Sequence, residues 1–538
     1  QDSLYVDQNT SEVFNLIVNE TYTYYIHVEK EGYFSEGKTI TVTIPERGSQ
    51  VEVPPPTEFW KNYSSKTGNR PDPDTGFIFM DTLNPGVPSI TKNNGAMAYA
   101  RSGTMLFVSD TDNNRVMIYM NSMGKICYDE FTEGSIEFDL CIALNGNAPL
   151  TPYAVLGQSD FSSTYSCQDP SNPLDSSECL TTPTGLTVKD NILFVSDSGN
   201  DRVKIYDALP YYGCYNFNQM MGDETPANCA PSRVIGKRGI SDLNSYDLAI
   251  DGDAILSCPN GLEVYNNNLY IADTCHDRVV VARNAATPSL FECDALNWRT
   301  SKCVFGGLLG QESFFEQDNF ATQWDLGEFS YDPVFETIDG DVNYLKRHMS
   351  NPTNIKIIDN KLFVSANENF SRPSVFGDIT LYGRILRFDT MVLEGSFPAC
   401  THATFVTGGC DADWVYGQRG FDKLSVTPFG GNYMDANYAL ENIGDFEIFG
   451  DMMFATDTAN NIVSIWNNAY DNTILGSPAN FRVLNPQGVW DPDLGRSQPD
   501  LKGLSSIQFR QNLGGLVIMD AGSHYYYLIK IYSVFTDS

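Results

Sequence analysis

The sequence predicts an all-β fold built from six copies of one strand–turn–strand unit. Two observations predict it: an apolar strand that recurs with a small residue and Asp at its end, and a polar turn that returns into a second apolar strand. Five copies read Phe107-Val-Ser-Asp110-Thr-Asp-Asn113-Asn-Arg115-Val116, Phe194-Val-Ser-Asp197-Ser-Gly-Asn200-Asp-Arg202-Val203, Tyr270-Ile-Ala-Asp273-Thr-Cys-His-Asp-Arg278-Val279, Phe454-Ala-Thr-Asp457-Thr-Ala-Asn460-Asn461-Ile462-Val463 and Val517-Ile-Met-Asp520-Ala-Gly-Ser-His524. A sixth, interrupted copy reads Phe363-Val-Ser-Ala-Asn367, its returning strand displaced to Arg384-Ile385-Leu386. Self-similarity of this kind marks a repeat architecture, in which each unit buries its faces against its neighbours.

Side-chain chemistry justifies each part of the unit. Alternating Leu106 and Val108, or Leu193 and Val195, describe strands packed between neighbouring units. The terminal Asp accepts hydrogen bonds from turn amides, and Asn tolerates the left-handed turn conformation. The Arg that follows pairs with the Asp or covers it. Periodicity therefore assigns Asp110, Arg115, Asp197, Arg202, Asp273, Arg278, Asp457 and Asp520 to turn structure, not to a catalytic or metal-binding ring.

The Asp-x-x-Asn-x-Arg-Val core resembles the NHL repeat, whose members form β-propellers. The resemblance spans about residues 76–535 and implies a six-bladed β-propeller with one blade per copy. Successive copies stand about twice as far apart as a four-stranded blade needs, so long insertions decorate the ring. Fourth strands are expected at Val155-Leu-Gly157-Gln158, Val234-Ile-Gly236, Val304-Phe-Gly306, Val415-Tyr-Gly417-Gln418 and Phe481-Arg-Val-Leu484. The last blade ends the chain at Tyr525–Tyr532 and lacks one; Phe77-Ile-Phe79-Met80 is the natural donor, closing the ring and removing its free edges.

Residues 1–58 do not match the repeat. Tyr22–Val28 and Thr39–Ile44 read as two strands joined through Glu31-Gly-Tyr33, ahead of Val51-Glu-Val-Pro-Pro-Pro56. The run Tyr25-Ile-His-Val-Glu-Lys-Glu-Gly-Tyr-Phe-Ser-Glu-Gly37 resembles the closing strands of immunoglobulin-like or fibronectin-like modules on bacterial surface proteins. The segment is too short for a full sandwich of roughly 100 residues. The expected organisation is a small β-module at 1–58, a linker at 59–75 and the propeller at 76–538.

Twelve cysteines fall into six local pairs 10 to 17 positions apart: Cys127/Cys141, Cys167/Cys179, Cys214/Cys229, Cys258/Cys275, Cys293/Cys303 and Cys400/Cys410. An even count in short pairs reads as disulfide staples, and no Cys-x-x-Cys points to zinc. Cys258 stands where an inner strand begins and Cys275 where its antiparallel neighbour ends, which places the two side by side. Disulfides imply an oxidising compartment, hence a secreted, cell-surface or periplasmic location, with the first two favoured. The start at Gln1 suits a processed chain.

A formal charge of −34, from 68 acids against 34 bases, repels phosphate backbones and anionic lipids and argues against nucleic-acid binding. No run of 18 apolar residues spans a membrane. Chemistry is sparse. His276, His348, His402 and His524 are the candidate ligands for an enzyme at the channel mouth. Asp520-Ala-Gly-Ser-His524 resembles the zinc-ligand turns of the amidating lyase, but occurs once where that family uses several. Asp251-Gly-Asp253 and Asp339-Gly-Asp341 are candidate structural calcium turns, each supplying two or three of the six to eight oxygens calcium needs. Exposed aromatics in the insertions, Tyr211, Tyr212 and Trp324, are candidates for glycan or protein contact or for packing of their own loops.

These readings converge on a secreted or cell-surface, non-enzymatic propeller that binds an extracellular protein or glycan, or builds an adhesive or filamentous assembly through residues 1–58. The alternative is a metal-dependent propeller enzyme of the lyase or lactonase type. Peptide mapping without reduction is expected to recover all twelve cysteines in the six consecutive pairs. Free thiols or long-range pairing would contradict both the staples and the oxidising compartment. Each staple is expected to contribute about 3 kcal/mol by loop entropy.

Overall fold

The computed structural model describes, with short breaks, residues 96–121, 150–216, 229–291, 304–315, 330–389, 410–421, 440–466, 481–497 and 504–530, together with strand segments between 21 and 43. The chain divides into two compact units, Gln1–Val53 with Ser538, and Pro54–Asp537.

In the first unit Thr21–Ile26 pairs antiparallel with Lys38–Thr43, and Glu29–Lys30 pairs with Tyr33–Phe34. These are two-stranded ladders. The immunoglobulin-like or fibronectin-like sandwich is thus not found among the described residues, because neither ladder gains a third strand.

The second unit is a β-propeller of antiparallel sheets whose strands run in chain order from inside to outside. Blade 1 comprises Ala96–Ser102, Met105–Asp110, Arg115–Asn121 and Leu150–Leu156. Blade 2 comprises Pro183–Lys189, Ile192–Asp197, Arg202–Tyr206 and Arg233–Ile235, and blade 3 Pro259–Tyr265, Asn268–Asp273, Arg278–Ala282 and Gly307–Leu309. Blade 4 comprises Pro352–Ile358, Lys361–Ser374, Gly377–Phe388 and Trp414–Tyr416, and blade 5 Ile443–Phe449, Met452–Asp457, Ile462–Trp466 and Phe481–Leu484. Leu504–Arg510, Gly515–Asp520 and Tyr525–Lys530 form a three-stranded sheet. The innermost strands neighbour one another in this order, and Leu504–Arg510 lies beside Ala96–Ser102.

The expectation of six blades is therefore corrected to five complete ones. The last copy of the repeat supplies three strands, and its expected donor, Phe77–Met80, lies outside the described residues. The fourth strand of blade 3 is also corrected. It is Gly307–Leu309 rather than Val304–Gly306. Leu309-Gly310-Gln311 repeats Leu156-Gly157-Gln158, with Gly310 at φ +96° and Gly157 at +84°, so the signature of this strand is its closing Gly-Gln and not a Val-x-Gly start.

Apolar residues make the core between blades rather than within one. Phe194 and Ile205 of blade 2 pack with Ile271 and Val280 of blade 3, and Val281 of blade 3 with Val364 and Leu386 of blade 4. Second strands are accordingly buried on both faces, as Met105–Asp110 and Ile192–Asp197 are throughout. First and second strands meet in tight two-residue hairpins with both φ positive, at Asp190-Asn191, Asn266-Asn267 and Asp359-Asn360. That geometry matches the strand twist and selects Asn and Asp. Close approach at the axis selects glycine: a Cβ on Gly185 would stand 1.9 Å from the Asn260 carbonyl oxygen of the next blade.

The repeated turn is a polar node. Asp197 is fully buried and accepts from Arg202 Nε (2.7 Å), Asn200 Nδ2 (2.9 Å) and the Thr181 amide (2.7 Å). Asp110 accepts from Arg115 Nε (2.6 Å) and Asn113 Nδ2 (3.0 Å), and Asp273 from Arg278 Nε (2.7 Å) and the Ser257 amide (2.6 Å). Each Arg then donates to a carbonyl in the loop after the fourth strand: Phe161, Ile240 and Phe314.

The same turn joins the blades. Thr111, Ser198 and Thr274 hydroxyls donate to the Pro183, Pro259 and Pro352 carbonyls of the following inner strand at 2.7, 2.7 and 2.6 Å. The left-handed residues Asn114, Asp201 and Asp277 accept from the Thr182, Cys258 and Asn351 amides at 2.8, 3.0 and 2.8 Å. In the interrupted copy Ala366 stands opposite Arg384 where blades 1 to 3 carry Asp, and Asn367, in the place of the Thr111, Ser198 and Thr274 hydroxyls, bonds both the Ile443 amide (2.8 Å) and carbonyl (3.0 Å) of blade 5.

Arg202→Met strands a buried Asp197 carboxylate and is expected to cost about 3–5 kcal/mol. Thr111→Val removes one seam bond and is expected to cost about 1 kcal/mol. Urea-unfolding midpoints of the two variants check the ranking, and equal losses would contradict it.

Candidate functional site

The carboxylates at the repeat turns are consumed by structure. At Asp273 burial pushes the carboxyl up, but Arg278 and the His276 ring outweigh it and hold it below the usual carboxylate value. His276 Nδ1 lies 2.9 Å from Asp273 Oδ2, in the position that Asn113 and Asn200 fill in blades 1 and 2. His348 is buried and stacks on Tyr344 with ring centroids 3.6 Å apart. The structure does not bring these two histidines into one constellation, and His402 and His524 lie outside the described residues. Asp457 accepts from the Asn442 amide at 3.3 Å, with Ile462 where the other blades carry Arg. Asp520 pairs with Tyr525 along the backbone.

Among the described residues no group of three or more His, Cys, Asp or Glu side chains could hold a metal ion. Asp251 is buried at the end of the short helix Leu248–Asp251, and Asp253 carries a buried Oδ1 that accepts no hydrogen bond. Asp339 closes a two-stranded ladder with Ser330, and Asp341 lies outside the described residues.

Charged side chains do converge on the central channel, where the repeat gave no signal. Ala100, Thr187, Glu263, Lys356, Glu447 and Gln508 occupy one register level of the six inner strands. Lys356 Nζ lies 3.3 Å from Glu447 Oε2, with the two side chains 19% and 13% exposed. One level towards the repeat turns, Asp445 is buried and accepts from Ser506 Oγ (2.7 Å), the Ile507 amide (2.9 Å) and Asn354 Nδ2. Burial pushes Asp445 up to about 6 against the pull of Lys356, and Glu263 up to about 7, with Glu447 and Asp445 adding to the rise. Burial draws Lys356 down, but Glu447, Asp445 and Glu263 hold it well above the usual lysine value. Among the described residues this cluster carries three carboxylates against one ammonium.

The second concentration of chemistry is the stapled loops. Disulfides join Cys167 to Cys179, Cys214 to Cys229 and Cys258 to Cys275, and Cys141 and Cys410 are also disulfide-bonded. Cys127, Cys293, Cys303 and Cys400 lie outside the described residues. The Cys167–Cys179 loop is seated on the blade 2 turn: Arg202 Nη2 donates to Ser176 O (2.8 Å), Lys204 Nζ to Ser177 O (2.8 Å) and Cys179 O (2.5 Å), and Asn200 Nδ2 to Cys167 Sγ (3.1 Å). The loop turns Gln168, Pro170, Ser171, Pro173 and Asp175 to solvent.

The Cys214–Cys229 insertion instead crosses to blade 1, where Tyr215–Asn216 adds a fifth strand to the edge at Ala154–Val155. Tyr211 is buried against Tyr153 (centroids 4.8 Å apart) and Tyr212 packs edge-on against Tyr211. Of the two roles open to these aromatics, loop packing is the one the geometry shows. Trp324 lies outside the described residues. No helix among the described residues is long and apolar enough to cross a membrane.

No protein-family model matches the chain, and no curated protein matches it. Among solved structures it is similar to a streptogramin B lyase at 10% identity and a TM-score of 0.33, covering 84% of this chain and 95% of that one. It is also similar to the β-propeller domain of Myceliophteria thermophila Cps50 (Swd1), at 9% identity, TM-score 0.34, and 81% and 97% coverage. A third is the WD40 domain of Neurospora crassa Pan2, at 8% identity, TM-score 0.34, and 81% and 88% coverage.

Burial draws the Lys204 ammonium down to about 7 in the folded chain. A lysine whose folded value lies below its unfolded one releases a proton on folding, so its contribution to stability rises with pH between the two values. Unfolding measured from pH 7 to 10 is expected to shift in favour of the parent over Lys204→Met as pH rises. A constant difference between the two would contradict that environment.

Proposed function

We propose that the protein is a secreted or cell-surface binding propeller of the NHL-like kind, acting by recognition of an extracellular protein or glycan rather than by catalysis. The observation that supports it best is the Cys167–Cys179 loop, closed by a disulfide and seated from below by Arg202 and Lys204 while its tip faces solvent. A loop ordered before binding loses little conformational entropy on contact, which favours affinity. The disulfides support an oxidising compartment.

Residues 1–58 extend this reading to assembly. A two-stranded ladder such as Thr21–Ile26 with Lys38–Thr43, which gains no third strand among the described residues, is marginal in water and needs further surface to cover it. Strand addition to a neighbouring chain supplies that surface through main-chain hydrogen bonds.

The full chain, the chain lacking residues 1–58, and a Cys167→Ser/Cys179→Ser variant test the proposal on an array of immobilised glycans and extracellular-matrix proteins, with mass in solution measured by light scattering. Expected are array binding that falls in the cysteine variant and self-association that falls in the truncated chain. A full chain that stays monomeric and binds nothing on the array would contradict the proposal.

A further inference from the structure

The channel cluster joins blades that are distant in sequence, and it does so through groups that titrate. Lys356 of blade 4 pairs with Glu447 of blade 5 at 3.3 Å. Asp445 of blade 5 takes hydrogen bonds from Asn354 of blade 4 and from Ser506 and Ile507 of the three-stranded sheet. Glu263 brings blade 3 into the same level, beside Lys356. Four consecutive inner strands of the ring thus meet around three carboxylates and one ammonium.

We propose that this cluster is a pH-sensitive clamp on the ring, tightening the contact of blades 3, 4 and 5 with the three-stranded sheet as the medium turns mildly acidic.

The charges that face Glu263 are Lys356 from blade 4 and Glu447 and Asp445 from blade 5. Blade 2, on its other side, offers Thr187 at the same level, and the charged residue of that strand, Lys189, stands at the hairpin end, 3.5 Å from Asp190. Behind it in its own blade stands Tyr270. Asp445 is faced by Lys356 and Glu447, while the neighbouring sheet turns Ser506 and the Ile507 amide towards it and Thr456 accepts from its backbone amide. With all three carboxylates ionised, one ammonium leaves two negative charges uncompensated in a narrow, partly buried space, and they repel. Protonating Glu263 first and Asp445 next removes that repulsion while Lys356–Glu447 persists.

The sign follows from the raised values, about 7 for Glu263 and about 6 for Asp445. Both exceed the unfolded carboxyl range, so the folded chain binds more protons than the unfolded one between about pH 4 and 7. Stability from these groups therefore grows as pH falls through that window and is lost as pH rises through it. This runs opposite to the salt-bridged acids of the repeat turns, such as Asp273, whose contribution is lost on acidification.

The test is thermal unfolding of the full chain at pH values from 5 to 8.5, for the parent, Glu263→Gln and Lys356→Met. Glu263→Gln removes one repelling charge at nearly constant shape, and is expected to unfold at a higher temperature than the parent at pH 8 and by a clearly smaller margin at pH 5.5. Lys356→Met removes the compensating charge, and is expected to lose far more at pH 8 than at pH 5.5. The global effect of net charge is common to all three chains and cancels in the differences. Either variant alone carries the test if the other fails to fold. Profiles that run parallel to the parent overturn the proposal.

Discussion

The fold depends on a buried carboxylate at the end of the second strand in blades 1 to 3. Taken alone, a charge in that position is costly, and a partner must be supplied from nearby. Arg115, Arg202 and Arg278 supply it five residues further on, and each arginine donates from Nη1 to a carbonyl of the loop that follows the fourth strand. One node therefore fixes three things in each of blades 1 to 3: the second-to-third strand turn, the exit of the outer strand, and the approach to the next blade. The hydroxyl beside the Asp and the left-handed Asn or Asp beyond it then bond the next inner strand. Blade formation and blade-to-blade docking share one set of polar contacts.

That sharing explains where the repeat is allowed to vary. Blade 4 replaces Asp with Ala366, while the Asn367 amide beside it bonds blade 5 directly in both directions, keeping the seam, and Arg384 reaches the Leu345 and His348 carbonyls instead. Blade 5 gives up the Arg for Ile462 but keeps the seam through Thr458, which donates to Leu504. What these blades keep is the bond to the following sheet. The insertions have the same freedom: they lie outside the node, so one can carry a staple onto the turn and another can donate a strand to blade 1 without disturbing the ring.

The ring was legible in the sequence because the node requires fixed residue types at fixed spacing. Asp197, Asn200 and Arg202 announce themselves, and so do the closing Gly-Gln pairs at Gly157-Gln158 and Gly310-Gln311 once the left-handed turn they make is known. The channel was not legible. Its lining comes from one position per inner strand, where Ala100, Thr187, Glu263, Lys356 and Glu447 follow no repeated residue type, and only assembly of the ring brings Glu263, Lys356 and Glu447 together. Tyr211 was ambiguous for the same reason. Its partner, Tyr153, belongs to a different blade, and no local pattern links an insertion to the edge it covers.

The account rests on the seams being part of the same cooperative unit as the strands, and native-state hydrogen exchange measures that most directly. The amides of Thr182, Cys258 and Asn351 each donate to a side chain of the preceding blade and report the three seams one by one. The account predicts that they exchange with the opening free energy and denaturant dependence of second-strand amides such as those of Val195 and Ile271, that is, only when the ring unfolds as a whole. Seam amides that exchange through small, denaturant-independent openings while the strands stay protected would contradict it, and would make the propeller a string of separately stable blades.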